Sequence, residues 1–222
     1  MGSTVGWSKR AVVGRLAVAA SALVVGAGLA GCMHVSETSD VGSNGSSTNT
    51  WTITLSPKLQ SLFGVSVPQE IAELRTEMKK EPLPGQVSVS TYTDKTGWKG
   101  VEVLLKLPTP KALEEVETSH ARGSDPQFST FSMTNHGTVW TINGKFNAVG
   151  IDKGISKLVP TTQAGTGANL VKTLEKLGFS YVISFKLPGR VISDNATSKA
   201  ANGTLSWNMM TGPSTLEASW DA

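Results

Sequence analysis

The chain has 222 residues, a formal net charge of +3 and a single cysteine. Its positive excess equals the three basic residues Lys9, Arg10 and Arg15 at the N-terminus, so the rest of the chain is close to neutral. A nucleic-acid-binding protein needs a clustered basic face, and a disulfide framework needs paired cysteines. Composition therefore argues against both.

Residues 1–31 have the three parts of a secretory signal peptide. The basic residues form its first part, and residues 16–30 form an uncharged stretch of mostly Ala, Val, Leu and Gly. This stretch is shorter than the roughly 20 apolar residues of a transmembrane helix. Leu29, Ala30 and Gly31 precede Cys32 in the order of a lipobox. We predict cleavage between Gly31 and Cys32, with cleavage of an ordinary, non-lipidated signal as the closest alternative.

Lipidation would place a diacylglyceryl group on the sulfur of Cys32, the first residue of the mature protein. Two acyl chains anchor a protein stably, whereas a single chain binds marginally. The sequence thus predicts a protein held on the outer face of the cell membrane through Cys32. No thiol would remain for a disulfide or a metal, and no cofactor is implied.

Residues 32–50 are rich in Ser, Thr, Gly and Asn and contain almost no large apolar residue. Such a composition is typical of a flexible tether, because it buries too little surface to fold. We predict a tether that holds the domain a few nanometres from the membrane.

Residues 51–222 are long enough for one domain with a sizeable core. Apolar and polar residues alternate with period two in seven stretches, which is typical of strands with one buried face. These stretches are residues 51–55, 87–92, 101–107, 140–146, 179–187, 205–209 and 216–220. Turn signals at residues 94–97, 135–137 and 202–203 separate several of them.

Helices are fewer in number. Residues 66–80 begin with the capping-box pattern of Ser66 and Gln69, with Pro68 in the first turn. A second helix is expected to open at Pro110, and a third is expected over residues 168–177. The fold class is therefore α+β, with a strongly curved antiparallel sheet or β-barrel-like domain and two or three packed helices.

The C-terminal half contains a run of residues that matches a known family. Leu187-Pro188-Gly189 ends a predicted strand, and Asn195-Ala196 and then Gly203 with Trp207 follow it. This run resembles the LppM-type domain of actinobacterial envelope lipoproteins, in which the same pattern joins the last strands. Trp98 in a Gly-Trp-x-Gly turn agrees with the resemblance.

The resemblance implies a β-barrel-like domain outside the cytoplasmic membrane that binds lipids or mannosylated glycolipids. The chain departs from the family pattern in two places. Many members carry a C-terminal transmembrane helix, which this chain lacks, and residues 152–178 look like an insertion. The bland interpretation of the motif is that Pro188-Gly189 forms a tight turn and Trp207 fills the core.

Catalytic patterns are missing from the sequence, which contains no zinc-protease, nucleophile-elbow or phosphate-loop motif. His34, His120 and His136 are far apart and are expected at the surface. Glu114, Glu115 and Glu117 are expected on a solvated helix face. Six aromatic residues on predicted strands fill the core or line a cavity for acyl chains. They are Trp140, Phe146, Phe179, Tyr181, Phe185 and Trp207.

These observations favour a non-enzymatic lipoprotein whose extracytoplasmic domain binds a lipid or glycolipid. A docking module for another cell-envelope protein is the main alternative, although its partner is unknown. An envelope enzyme whose site assembles from residues remote in sequence is the least favoured.

Overall fold

The computed structural model describes residues 33–57, 60, 66–80, 83–118, 128–146 and 179–222. Eleven strands and two helices lie in these ranges. In chain order they are β1 (Met33–Val41), β2 (Ser47–Leu55), α1 (Val67–Lys80), β3 (Gln86–Thr93), β4 (Lys99–Leu107), α2 (Pro110–Glu117), β5 (Phe128–His136), β6 (Val139–Phe146), β7 (Ser180–Lys186), β8 (Arg190–Asp194), β9 (Ser198–Lys199), β10 (Leu205–Asn208) and β11 (Thr215–Asp221).

The larger sheet has seven strands in the order β3-β4-β2-β1-β7-β10-β9. Strands β1 and β7 run parallel, and the other pairs of this sheet run antiparallel. The smaller sheet has four antiparallel strands in the order β5-β6-β11-β8. The domain is mostly β. Because β1 and β7 run parallel, the prediction of an antiparallel sheet is wrong for this one pair. Within the described ranges, neither sheet closes into a barrel.

The two sheets and both helices share one hydrophobic core. Helix α1 contacts β3 and β4, and α2 contacts β4 and β5. Their starts confirm two predicted helices, whereas the third, over residues 168–177, falls outside the described residues. No helix in the described ranges combines the length and hydropathy needed to cross a membrane.

The prediction for residues 33–50 requires a correction, because they form β1, a turn and the start of β2 instead of a flexible tether. Strand β1 begins at Met33 and pairs with β2 on one side and β7 on the other, so it lies inside the larger sheet. The physical reason is that β1 is stabilised by pairing on both edges, while two of its buried positions are the polar residues Glu37 and Ser39. Polar residues at buried positions interrupt the apolar alternation by which strands are recognised.

The predicted turns are confirmed, because each places its glycine in the left-handed region. The backbone φ is +82° at Gly97, +80° at Gly137 and +82° at Gly203. Gly189 has a φ of +92°, and a Cβ there would come within 2.0 Å of the Asp221 carbonyl oxygen. Pro188-Gly189 is thus a tight turn between β7 and β8, as the structural interpretation of the motif predicts.

Candidate functional site

A group of polar side chains lies on the buried face of the two central strands. On β1 it comprises Glu37 and Ser39, and on β2 it comprises Ser47 and Asn49, all at most 5% exposed. The antiparallel register places Ser39 opposite Asn49. Residues paired in this way have Cβ atoms about 4.5–5.5 Å apart. Polar groups therefore form a continuous patch on a sheet face that is buried in the domain.

Helix α2 adds a carboxyl group to this patch. Thr109 caps the helix, its side chain accepting a hydrogen bond from the Ala112 backbone nitrogen at 3.2 Å. Leu113 and Glu117 are four residues apart, so they share the buried face of the helix. Glu117 is 2% exposed, and its Oε1 accepts a hydrogen bond from Asn49 Nδ2 at 3.3 Å. The expectation that Glu117 belongs to a solvated face is wrong, whereas Glu115 is exposed as expected.

Burial and mutual repulsion govern the electrostatics of these groups. Burial raises the pKa of Glu117 well above its ordinary value, and the charge of Glu37 and a hydrogen bond with it raise the pKa further. Burial likewise raises the pKa of Tyr181, with additional contributions from the charges of Glu37 and Glu117. Glu117 therefore favours its protonated form. We call Glu37, Ser39, Ser47, Asn49 and Glu117 the buried polar cluster.

Several atoms of the cluster lack hydrogen-bond partners among the described residues. They are the hydroxyl oxygens of Ser39 and Ser47 and the Oδ1 atom of Asn49. Trp51 lies opposite Glu37 on the same face, and its Nε1 atom also lacks a hydrogen-bond partner among the described residues. A buried polar group without a partner costs about 1–3 kcal/mol, so native proteins rarely keep several together without a reason.

A second polar centre lies at the end of the larger sheet where β1 begins. The Oδ1 atom of Asp94 accepts hydrogen bonds from the backbone nitrogens of Thr96 and Trp98 at 2.8 and 3.0 Å and from the Thr96 hydroxyl. Its Oδ2 atom accepts from Thr54 Oγ1 at 3.0 Å and contacts His34 Nδ1 at 3.1 Å. Partial burial acts to raise the pKa of Asp94, but these hydrogen bonds outweigh it and hold the pKa well below its ordinary value.

The Asp94 side chain ties the start of β1 to the turn between β3 and β4. His34 also stacks on Trp98, with ring centroids 4.4 Å apart and planes inclined by 21°. Strand β7 begins at the same end, because it runs parallel to β1 and Ser180 pairs with His34. We call this region, with His34, Asp94, Trp98, Phe179 and Tyr181, the Met33 end of the sheet.

The six aromatic residues predicted to fill the core or line a cavity divide into two groups. Phe185 and Trp207 are fully buried and lie edge to face at 6.1 Å, while Trp140 and Phe146 are 8% exposed. Phe179 and Tyr181 are only partly buried, and both lie at the Met33 end. The four buried residues belong to the packed core, which leaves Phe179 and Tyr181 as the members with accessible surface.

The motif that carried the family resemblance joins the two sheets. The Oδ1 atom of Asn195 accepts hydrogen bonds from Trp207 Nε1 in the larger sheet and from the Glu217 backbone nitrogen in the smaller one, both at 2.8 Å. Its Nδ2 atom donates to the carbonyl oxygen and hydroxyl of Thr215 at 3.1 and 3.2 Å. The motif therefore stabilises the fold.

The remaining predicted site residues are only partly covered by the structure. Gly31 and Cys32 lie outside the described residues, as does His120. His136 is exposed as expected, whereas His34 is part of β1 and contacts Asp94. Sequence reasoning missed Glu37, Asn49 and Asp94 as site residues. Asp94 had a usable signal, because an Asp two residues before a Thr in a Gly-containing turn is typical of a side-chain-capped turn.

A mostly β domain of two open sheets, with a lipobox-like sequence before its first strand, defines the structural class. The chain belongs to the LppM family, since the LppM domain matches residues 39–222. It is similar in structure to the folded domain of the LppM protein of Mycobacterium tuberculosis, solved by NMR. That match has a TM-score of 0.46 at 14% sequence identity and covers 86% of this chain and 91% of that one. No curated protein matches the chain.

Proposed function

We propose that this protein is a cell-envelope lipoprotein whose domain stands directly on the outer face of the cell membrane and binds a lipid or glycolipid without catalysis. The observation that carries the proposal is that β1 begins at Met33, one residue after the predicted anchor at Cys32. A diacylglyceryl group on Cys32 would leave the domain no tether. Its Met33 end would therefore meet the membrane surface.

The Met33 end has the side chains that such a contact requires. Trp98, Phe179 and Tyr181 are partly exposed there, and Lys95 and Lys99 are exposed beside Trp98. Tryptophan and tyrosine favour the boundary between water and hydrocarbon, and lysines favour anionic head groups. Membership of a lipoprotein family supports the same arrangement.

A bound lipid would enter between the Met33 end and the interior of the domain. Tyr181 lies on the same face of the sheet as Ile183 and Phe185, which are fully buried. The charges of Glu37 and Glu117 contribute to the raised pKa of its phenol group. An amphiphile could thus place its chains against aromatic residues and its polar part toward the interior. The six predicted aromatic residues remain a proposed lining, with Phe179 and Tyr181 as the members most open to contact.

The non-enzymatic part of the proposal is supported by the chemistry of the two polar centres. The Asp94 carboxylate is occupied by hydroxyl and backbone donors that fix a turn. Glu37 and Glu117 are hydrogen-bonded to each other inside the core and are each 2% exposed, so neither is presented to a substrate in solution.

Native mass spectrometry of the mature full-length protein tests lipid binding. After exposure to lipids extracted from an actinobacterial envelope, we expect a discrete added mass beyond that of the lipidated protein. Phe179→Ala and Tyr181→Ala should each reduce the fraction carrying this mass, because they remove accessible apolar surface. The control Ile192→Ala, on the smaller sheet, should retain it. A protein that stays bare, while a known lipid carrier keeps its cargo under the same conditions, would contradict the proposal.

One observation favours docking of another envelope protein as a second candidate. Strand β8 is an edge of the smaller sheet, and Ile192 on it is 53% exposed, the only large apolar side chain so exposed in the described part of the chain. An exposed sheet edge can pair with a strand of another protein. A photo-crosslinking residue in place of Ile192 should then capture one defined protein in cells, whereas the same residue at Ser219 on β11 should not.

A further inference from the structure

We infer that the buried polar cluster is a binding site for a divalent metal ion of the oxygen-preferring class, such as Ca²⁺. The inference goes beyond lipid binding, and it would stand even if the domain bound no lipid. It rests on the juxtaposition of Glu37, Asn49 and Glu117 with two serine hydroxyls inside the core.

The donors come from three elements that the fold brings to one place. Strand pairing sets Ser39 opposite Asn49, and Ser47 follows two residues away on the same face of β2. Helix α2 brings Glu117 over Asn49, as their 3.3 Å hydrogen bond shows. The hydrogen bond between Glu117 and Glu37 closes the group.

The chemistry of these donors matches a hard cation. The described residues contain no group of three or more His, Cys, Asp and Glu side chains placed to hold a metal. The cluster instead offers two carboxylates, one amide oxygen and two hydroxyls. Calcium binds oxygen ligands of mixed type, including carboxylates and amide carbonyls, in flexible geometry. Two carboxylates would also balance the charge of a divalent ion, which a fully buried site requires.

The atoms without partners give independent support. Ser39 and Asn49 are 0% exposed and Ser47 is 5% exposed, yet both hydroxyls and the Asn49 Oδ1 atom lack a hydrogen-bond partner among the described residues. All three are oxygen atoms, and all lie on the face where the two carboxyl groups meet. A cation ligated by them would satisfy these oxygens together. The enclosed position also suits an ion better than a larger ligand.

Thermal unfolding of the mature full-length protein with added CaCl₂ or MgCl₂, compared with EDTA, tests the inference. A ligand in hundredfold excess over its Kd should raise the Tm by about 5–10 °C. We expect this rise with CaCl₂ at pH 7.5 and no rise with EDTA. Glu117→Gln and Glu37→Gln should abolish the rise, because each removes a charged ligand while keeping side-chain volume. Glu115→Gln, on the exposed face of the same helix, is the matched control and should retain it.

Terbium luminescence provides a second readout that does not depend on the folding of the glutamine variants. Trp51 lies opposite Glu37, so excitation of tryptophan should sensitise Tb³⁺ emission, and CaCl₂ should quench that emission by competition. Trp51→Phe should lower the emission but keep the Tm rise. No Tm rise in the parent protein would mean that the buried polar cluster binds no divalent ion. A rise retained in Glu117→Gln would place the ion elsewhere. Either result would overturn the inference.

Discussion

Asp94 holds three segments of the chain together with one carboxylate. It accepts hydrogen bonds from the β3–β4 turn and from Thr54 at the end of β2, and it contacts His34 at the start of β1. Because its pKa is lower in the folded protein than in the unfolded chain, the carboxylate stabilises the fold. This contribution is complete above the ordinary carboxyl pKa of about 4 and shrinks as the pH falls below that value.

We expect Asp94→Asn to lower the free energy of unfolding by about 1–2 kcal/mol at pH 7, because charged hydrogen bonds are lost. The difference from the parent protein should narrow as the pH falls below about 4. Urea unfolding at several pH values measures both effects. Asp40→Asn is the control, since Asp40 and its partner Lys186 are both about half exposed and such pairs contribute little. An equal loss of unfolding free energy in both variants, or a loss that does not depend on pH, would contradict the stabilising role of the Asp94 carboxylate.

Asn195 is a second residue with a structural role, because its side-chain amide forms hydrogen bonds with both sheets. We expect Asn195→Ala to cost about 2–4 kcal/mol, since the buried Trp207 Nε1 and the Glu217 backbone nitrogen both lose their acceptor. Asn195→Asp keeps the acceptor oxygen and should cost less. Asn202→Ala, in an exposed turn, should cost under about 1 kcal/mol. Chemical denaturation measures all three, and the same loss at positions 195 and 202 would argue against a bridge between the sheets.

At the scale of elements, β1 and β2 show where sequence reasoning succeeds and where it stops. The alternation in β4, β6 and β11 predicts these strands, because their buried positions are apolar. Strand β1 has the same alternation of burial, but Glu37 and Ser39 occupy buried positions. The buried polar residues that prevented the prediction of β1 are therefore the same residues that form the candidate site. Functional sites are where local sequence rules are expected to fail.

The candidate site was less accessible to prediction than the fold. Glu37, Asn49 and Glu117 are separated by 12 to 80 residues, and only the pairing of β1 with β2 and the position of α2 bring them together. Composition alone assigned Glu37 and Asn49 to a tether. Conversely, the Asn195 motif was recognisable, because it resembles a family pattern that lies within one short stretch of the chain.

Removal of residues 1–50 tests whether β1 and the start of β2 are part of the folded domain. A chain that begins at Trp51 lacks β1 and part of β2, so β7 loses its parallel partner and the larger sheet is divided. We expect such a chain to show no cooperative thermal unfolding. A chain that begins at Met33 keeps every described strand and should unfold cooperatively. Cooperative unfolding of both chains at the same temperature would restore the tether interpretation.

At the scale of the whole molecule, the proposed lipidation of Cys32 would let the position of β1 determine how the domain meets the membrane. A tether would allow many orientations, whereas a strand that starts one residue after a lipid anchor would restrict them. The nine residues of β1 span roughly 26 Å from the Met33 end to the turn that leads into β2. The two ends of the sheet should therefore lie at different distances from the bilayer.

Site-directed spin labelling of the mature lipoprotein on vesicles tests this claim most directly. Lipidation would consume the sulfur of the single natural cysteine, so Lys95→Cys or Ser43→Cys would supply the only free thiol. We expect a nitroxide at position 95, in the turn at the Met33 end, to collide with lipid-soluble oxygen in preference to a water-soluble nickel complex. A nitroxide at position 43, beyond the far end of β1, should show the opposite preference. Equal exposure of both labels to water would contradict a domain held directly on the membrane.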